Sequence, residues 1–168
     1  MEKSQAYEHI FIYIFTAVLV SIILIYGYNA IFNFKQRADT ISFIKFRNDI
    51  SSAVSGIYSE YNSLKTLDFQ VPPDYNEVCI VETQNPIDPA SISNSLIRDS
   101  VEPEITSNVF LVGQNTFTSF FIKEKVSVVS INGDGTSNED LICIPVKNGK
   151  ITLQMEGRGD YAFITIPA

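Results

Sequence analysis

The stretch SQAYEHIFIYIFTAVLVSIILIYGYNAIF, residues 4–32, decides the architecture of this 168-residue chain. If His9 is neutral, 26 residues without a formal charge separate Glu8 from Lys35. An α-helix rises about 1.5 Å per residue, so about 20 such residues cross the ~30 Å hydrocarbon layer of a membrane. The sequence therefore predicts a transmembrane helix over residues 5–33.

The apolar segment is predicted to stay in the protein as a permanent anchor. It exceeds the ~7–15 residues of a cleavable secretory signal, and Tyr28 stands where such a signal would need a small residue. Tyrosines flank the segment, with Tyr7 and Tyr13 at its start and Tyr26 near its end, as is typical of side chains at the membrane–water interface. We therefore predict a single-pass membrane protein.

Helical periodicity continues beyond the predicted membrane segment. Apolar residues recur, mostly at spacings of three and four, among charged ones; they are Phe34, Ala38, Ile41, Ile44, Ile50, Ala53 or Val54, Ile57 and Tyr61. No proline occurs before Pro72, so nothing forces the helix to break. We predict an amphipathic helical stalk over residues 34–64.

Charge is distributed unevenly along the chain. The first 65 residues carry six Lys/Arg and five Asp/Glu, a net of +1, whereas residues 66–168 carry six and fourteen, a net of −8. Proteins that bind nucleic acid present a basic surface, and the distal part of the sequence has none. The sequence therefore predicts membrane lipid as a partner and no nucleic acid.

Short runs of β-branched and aromatic residues dominate residues 65–168. Strands are predicted at 66–71, 77–82, 109–113, 116–122, 126–131, 141–145, 150–155 and 161–166, with one short helix in the polar segment 83–104. The Asn148-Gly149 pair favours a two-residue hairpin turn because both residues accept positive φ, and the last strands are predicted to form an antiparallel meander. The predicted fold class is α+β: a long N-terminal helix followed by a small antiparallel β-rich head over residues 65–168.

The two cysteines, Cys79 and Cys143, lie in the apolar strand-like runs EVCIVE and LICIPV. Buried free thiols are the favoured interpretation, since cysteine is among the most buried residue types. A single disulfide between the two strands is the alternative, and it requires an oxidising compartment.

Few residues of the chain suit catalysis or metal binding. His9, the single histidine, lies at the membrane edge, so the sequence excludes a histidine-based catalytic set in the head. Two cysteines without a distal histidine do not complete a zinc site. The loop SINGDGTSNEDL, residues 130–141, lacks the first Asp and the last Glu of a calcium loop, so it is interpreted as a polar hairpin, with weak calcium binding as the minor alternative. We predict no catalytic residue, no metal, no cofactor and no small-molecule substrate.

A short polar leader, Glu8 in the first turn of a membrane helix and an amphipathic extension precede the β-rich region. This combination resembles type IV pilins, particularly archaeal pilin-like proteins with a class III signal peptide. The family pattern places Gln first in the mature chain and Glu four positions later, after a basic and a small residue. Here Lys3, Ser4 and Gln5 occupy that stretch. Removal of a leader at residues 1–4 starts the chain at Gln5 with Glu8 three positions later, whereas cleavage after Lys3 starts it at Ser4 with Glu8 four positions later.

The resemblance implies a non-enzymatic subunit of a surface filament or pseudopilus, which assembles with its own copies or related pilins. Glu8 would meet the free N-terminal amine of a neighbouring subunit. Assembly would bury the apolar stripe of the stalk from Phe34 to Tyr61, with Phe34, Ala38, Ile41 and Ile44 as the candidate contact residues. The plainer interpretation of Glu8 is a favourable interaction with the positive end of the helix dipole. A stand-alone membrane-tethered binding module that forms no filament is the alternative function.

Two signals disagree about orientation. Lys35, Arg37, Lys45 and Arg47 follow the span, whereas Lys3 and the α-amine precede it, so the positive-inside rule favours a cytoplasmic head. The resemblance implies an extracellular head, and that placement is our prediction.

Overall fold

The computed structural model describes residues 2–84, 87–88, 92, 94–101, 106–131, 137–138 and 140–167, and for 2–11, 36, 130–131 and 137–138 it describes the backbone alone. The chain divides into two compact units, a proximal unit of Met1–Ile41 and a distal unit of Ser42–Ala168. The compact distal unit therefore begins well before residue 65, where the sequence places the start of the head.

The described residues form two helices and ten strands. The helices are α1 (Glu2–Tyr58) and α2 (Ser95–Val101). The strands are β1 (Leu64–Gln70), β2 (Glu77–Val81), β3 (Val109–Val112), β4 (Phe117–Phe120), β5 (Val126–Val128), β6 (Ser130–Ile131), β7 (Ser137–Asn138), β8 (Leu141–Pro145), β9 (Lys150–Gly157) and β10 (Ala162–Thr165). The prediction of a long N-terminal helix followed by a β-rich region is confirmed, and the predicted strand at 126–131 is divided into β5 and β6.

The strands form two four-stranded sheets and a two-stranded ribbon. The first sheet has the order β1-β9-β10-β5, the second has the order β4-β3-β2-β8, and β6 pairs with β7. Neighbouring strands are antiparallel in every described pair except β10 with β5, which is parallel. The predicted antiparallel head is correct apart from this one pair.

The predicted meander of the last strands is wrong at the turn between β8 and β9. The turn itself forms as predicted, with φ values of 53° at Asn148 and 72° at Gly149. However, β8 pairs with β2 in the second sheet, while β9 pairs with β1 and β10 in the first. A two-residue turn signal specifies a local reversal, whereas the partner of each strand is set by long-range packing.

The main core combines side chains from both sheets with one face of α1. Phe46, Ile50, Val54 and Ile57 of α1 are at most 1% exposed. The ring of Phe46 meets that of Phe120 edge to face, with centroids 6.1 Å apart. Burial of side chains of this size contributes about 1.5–3 kcal/mol each, which explains why the end of α1 belongs to the distal unit.

This packing corrects the prediction that assembly buries the whole apolar stripe of the stalk. Strands of the same chain already cover Ile50, Val54 and Ile57, so these residues offer no surface to a neighbouring subunit. Helical periodicity indicates that one face of a helix is apolar, and it does not specify which surface covers that face.

A second apolar cluster covers the other face of the second sheet. Ile97 and Val101 of α2, together with Ile92, pack with Val81 of β2 and Phe110 of β3. Because the main core covers the opposite face, β2 and β3 are buried on both sides. This explains why the segments EVCIV and VFLV are apolar almost throughout and do not alternate with polar residues.

Two buried polar side chains pair with backbone groups where strands end. The amide nitrogen of Asn108 donates to the carbonyl of Ile122 at 3.1 Å, and its Oδ1 accepts from the N–H of Ile122 at 2.7 Å. Glu82 accepts hydrogen bonds of 2.8 Å from the N–H groups of Gln84 and Val128, and so links the end of β2 to β5. Sequence gives no signal for the burial of Glu82, because a carboxylate that closes an apolar run ordinarily marks the surface.

Candidate membrane and assembly segment

The proximal unit exposes an apolar surface along residues 12–35. Every residue in that range is exposed, and Ile23 and Tyr26 reach 67% and 73%. The most apolar 18-residue window has a mean hydropathy of 2.0, and none of it is buried. Among the described residues, α1 is the one helix long and apolar enough to cross a membrane, judged by length and composition.

The hydroxyl groups of Thr16 and Ser21 within this surface form hydrogen bonds inside the helix. Thr16 Oγ1 lies 2.9 Å from the carbonyl oxygens of both Ile12 and Tyr13, and Ser21 Oγ donates to the carbonyl of Ala17 at 2.8 Å. Hydrocarbon offers no partner to a polar group, so a donor that bonds within its own helix is compatible with lipid.

Three of the four predicted assembly residues, Phe34, Ile41 and Ile44, carry apolar side chains that their own unit leaves exposed, whereas Ala38 is partly buried. In the proximal unit, Phe34, Ala38 and Ile41 are spaced by four and three residues on one face of α1, and Phe34 and Ile41 are 75% and 64% exposed. In the distal unit, Ile44 is 49% exposed although Phe46 is buried. Two residues turn a helix by about 200°, so Ile44 points away from the core that Phe46 enters.

For the predicted leader and for Glu8, the structure describes the backbone and not the side chains. The backbone of Lys3, Ser4, Gln5 and Glu8 is helical and belongs to α1. Leader cleavage and the role of Glu8 in assembly therefore stay predictions.

Cys79 of β2 and Cys143 of β8 form a disulfide. The two residues are direct partners in the antiparallel ladder, with Cα atoms 4.0 Å apart, although 64 residues separate them in sequence. This differs from the favoured interpretation of two free thiols and matches the alternative. The sequence indicated that both cysteines lie in apolar strands, which is compatible with a disulfide. It did not indicate that the two strands pair with Cys79 opposite Cys143, because strand register depends on long-range packing.

The disulfide also changes what these sulfurs can bind. Glu77 lies near Cys79 and Cys143, with one ligand atom from each within 4.8 Å of the others. Metals bind thiolates, and a disulfide supplies none, so this group offers a single carboxylate. The calcium-like loop gives no further information, since Asn132 and Asp134 lie outside the described residues.

Arg158 in the GRGD turn, residues 157–160, is held by contacts within the chain. Its backbone N–H donates to the carbonyl of Tyr161 at 3.1 Å, and its guanidinium pairs with Glu156 at 2.9 Å. The same guanidinium lies 5.7 Å from the centroid of the Phe163 ring, a cation–π distance. These contacts explain the position of the Arg158 side chain without a partner molecule.

Glu60, just after α1, has a lowered pKa. The hydrogen bond from Lys65, at 2.7 Å, is the main cause, and a hydrogen bond from Ser63 and the charge of Lys65 add to it, so the pKa of Glu60 lies below its ordinary value of 4.5. Both partners are about half exposed, at 47% and 45%, and solvent therefore screens most of the attraction between them.

An open groove of 760 Å³ lies beside the turn between β8 and β9 in the distal unit. Its lining combines the lysines of that turn, Lys147 and Lys150, with Ile144 of β8, Ile151 of β9 and Ile166 after β10. Sequence analysis does not detect this groove, because segments from separate parts of the chain form it. A prediction from sequence would have required a motif in which the lining residues are close together in the chain.

No protein-family model matches this chain, and comparison with curated proteins and with solved structures found no match. The membrane-length helix, the uncovered apolar side chains beyond it and the disulfide-bridged β-rich unit are therefore the features from which a function is inferred.

Proposed function

We propose that this chain is a pilin-like structural subunit of an archaeal-type surface filament or pseudopilus, anchored in the membrane and assembled through its N-terminal helix. The observation that carries the proposal is apolar surface on α1 beyond the length that a membrane needs. The segment of residues 12–34 is already longer than the about 20 residues that a helix needs to cross a bilayer. Ile41 and Ile44 are exposed further along the same helix. Exposed apolar patches are typical of interaction surfaces.

In the proposed assembly, lipid covers residues 12–34 of an isolated subunit, and neighbouring subunits cover Phe34, Ala38, Ile41 and Ile44. Full burial of a Phe or Ile side chain contributes about 1.5–3 kcal/mol, so a few such contacts per subunit, repeated along a filament, are enough to hold it together.

Glu8 sets the register in this proposal. A carboxylate at the lipid boundary is costly unless it is solvated or paired. Leader removal before Ser4 or before Gln5 creates a free amine close to the membrane surface, and this amine in one subunit is the proposed partner of Glu8 in the next. Sequencing of the mature N-terminus distinguishes the two cleavage positions and detects an uncleaved chain.

The disulfide supports an extracellular distal unit, since disulfides persist in oxidising compartments. The cations that follow the span favour the opposite orientation, which a dedicated translocation route would override. Lys123 and Lys125 are exposed on the distal unit and provide a test with a membrane-impermeant amine reagent. We expect both lysines to be labelled on intact cells, whereas labelling only after lysis would place the distal unit in the cytoplasm.

A photoreactive residue at Ile41 tests the assembly surface in native membranes. We expect a ladder of crosslinked oligomers, because this position faces neighbouring subunits in the proposal. The same residue at Ser52, an exposed polar position on α1, is the matched control and is expected to give far less crosslinking. A single uncrosslinked band at position 41 would contradict filament assembly.

Glu8→Ala tests the register role separately from the apolar surface. We expect this variant to reach the membrane with a normally folded distal unit and to form no filaments. Filaments of normal length and number from Glu8→Ala would refute the proposed pairing.

A membrane-tethered binding module is the second candidate function. The burial of Phe46, Ile50, Val54 and Ile57 within the distal unit favours it, because less apolar surface remains for neighbours than the sequence predicts. This candidate predicts a single band with the photoreactive residue at Ile41 and no effect of Glu8→Ala. Neither candidate includes a catalytic role.

A further inference from the structure

The groove beside the β8–β9 turn concentrates positive charge on an acidic unit. Lys147 and Lys150 are direct cross-strand partners, joined by backbone hydrogen bonds of 2.9 and 3.0 Å in both directions. Side chains of such partners lie on the same face of the ladder. Residues 66–168 hold six Lys/Arg, and two of them are paired at this turn.

The two lysines repel each other across the turn. Like charges at directly opposed positions of a β-ladder are destabilising. Both side chains are exposed, and among the described residues neither forms an ion pair. An anion that lies between the two ammonium groups would relieve this repulsion and gain two ion pairs.

The rest of the lining decides what kind of anion fits. Ile166, at 45% exposed, and the exposed Pro145 contribute accessible apolar surface to the groove. Ile144 and Ile151 also line it, but their side chains belong to the main core and are at most 4% exposed. One carboxylate, Asp68, also lines the groove, but its Oδ1 accepts a hydrogen bond from Thr152 Oγ1 at 2.7 Å. A volume of 760 Å³ is within the range of small-molecule sites.

We propose that this groove binds a small aliphatic carboxylate, with the carboxylate between Lys147 and Lys150 and the hydrocarbon part against Ile166 and Pro145. An inorganic anion would leave the apolar part of the lining unused, and a neutral aliphatic molecule would leave the lysines unpaired. The inference is independent of filament assembly, because the groove lies on the strands of the distal unit and includes no residue of α1.

Titration with hexanoate tests the proposal on the full chain in nanodiscs of zwitterionic lipid. Chemical shifts of isotope-labelled Lys and Ile residues report binding, up to about 10 mM ligand, a range suited to so small a molecule. We expect saturable shifts at Lys147, Lys150, Ile151 and Ile166. Hexanamide, which has the same chain without the charge, and acetate, which has the charge without the chain, should each bind much more weakly.

Lys147→Gln combined with Lys150→Gln is expected to weaken hexanoate binding about tenfold, the loss expected for two exposed ion pairs. Lys123→Gln combined with Lys125→Gln removes the same charge elsewhere on the distal unit and should leave binding unchanged. An unaltered unfolding midpoint in both double variants shows that the fold is kept. The proposal is overturned if hexanoate gives no saturable shift, if hexanamide or acetate binds as well, or if both double variants weaken binding equally.

Discussion

α1 carries apolar side chains in both units, and the two units treat them differently. In the proximal unit, Ile23 and Phe34 are 67% and 75% exposed, whereas Phe46 and Ile50 in the distal unit are at most 1% exposed. The proximal stretch is apolar on every side, while charged residues separate the apolar positions of the distal stretch. A helix that is apolar all round requires an apolar surrounding, and a helix with one apolar face requires only one partner surface.

The comparison teaches that hydrophobicity and exposure must be considered together. Each of the two stretches is apolar enough to need cover, but only the distal stretch obtains it from its own unit. The exposed stretch therefore indicates an apolar surrounding that its own unit does not supply. Lipid fits residues 12–34 because the hydroxyls of Thr16 and Ser21 are already bonded within the helix.

Among the substitutions considered, Phe46→Ala is expected to lower the unfolding free energy of the distal unit most. Removing a fully buried ring costs about 3–5 kcal/mol of unfolding free energy, through lost burial and the cavity left beside Phe120. Phe34→Ala, at a 75% exposed position, is the matched control and should change the stability of the distal unit by less than about 0.5 kcal/mol. Denaturant unfolding of the full chain in detergent, followed by near-ultraviolet circular dichroism, measures both. Equal losses in the two variants would break the comparison.

Removal of the disulfide is expected to have a slightly smaller effect, confined to the distal unit. Cys79→Ala combined with Cys143→Ala should lower its unfolding free energy by roughly 3 kcal/mol, because the bond closes a loop between residues 64 positions apart. The helicity of residues 12–34 in detergent should not change. The reduced natural chain keeps both sulfur atoms and so separates loss of the bond from loss of side-chain volume.

This double variant also shows whether the two stretches of α1 are energetically separate. If amides of the proximal helix exchange as fast in the double variant as in the natural chain, while those of β2 and β8 exchange faster, the two stretches are energetically separate. Faster exchange along the proximal helix as well would show that its stability depends on the distal strands.

Lys65→Gln is expected to have the smallest effect and to depend on pH. The folded pKa of Glu60 lies below its ordinary value of 4.5, chiefly because of the hydrogen bond from Lys65. The stability that this bond contributes is therefore present above pH 4.5 and is lost as the pH falls through the lower folded pKa. Natural and variant chains should differ slightly near neutral pH and converge in acid, as measured by their unfolding midpoints. Lys125→Gln is the control, and the same pH dependence in both variants would contradict this role for Lys65.

Local features of the fold were predictable from the sequence, and partners at long range were not. Proline-free apolar periodicity predicted α1, and the Asn148-Gly149 pair predicted its turn, because each feature depends on neighbours in the chain. The meander prediction failed because the identity of the sheet that accepts β8 depends on β2, which lies far away in sequence. The same limitation applies to Cys79 and Cys143, whose pairing follows from that register.

The candidate sites divide in the same way. Phe34, Ile41 and Ile44 were identified from spacing, and their exposure agrees with a surface that has no cover within its own unit. The end of the stripe was assigned to neighbouring subunits, although the distal unit itself buries Ile50. The groove at Lys147 left no sequence signal, since its apolar lining comes from three different strand regions.

The strand order of the first sheet has a consequence for the timing of folding during synthesis. Among the described strands, β1 pairs with β9 alone, and Asp68 and Thr152, which meet across that pair, are 84 residues apart. β10 (Ala162–Thr165) lies between β9 and β5, so the first sheet is incomplete until residues 162–165 have left the ribosome. The apolar helix emerges long before that point. The first sheet therefore closes only after all of α1 has been synthesised.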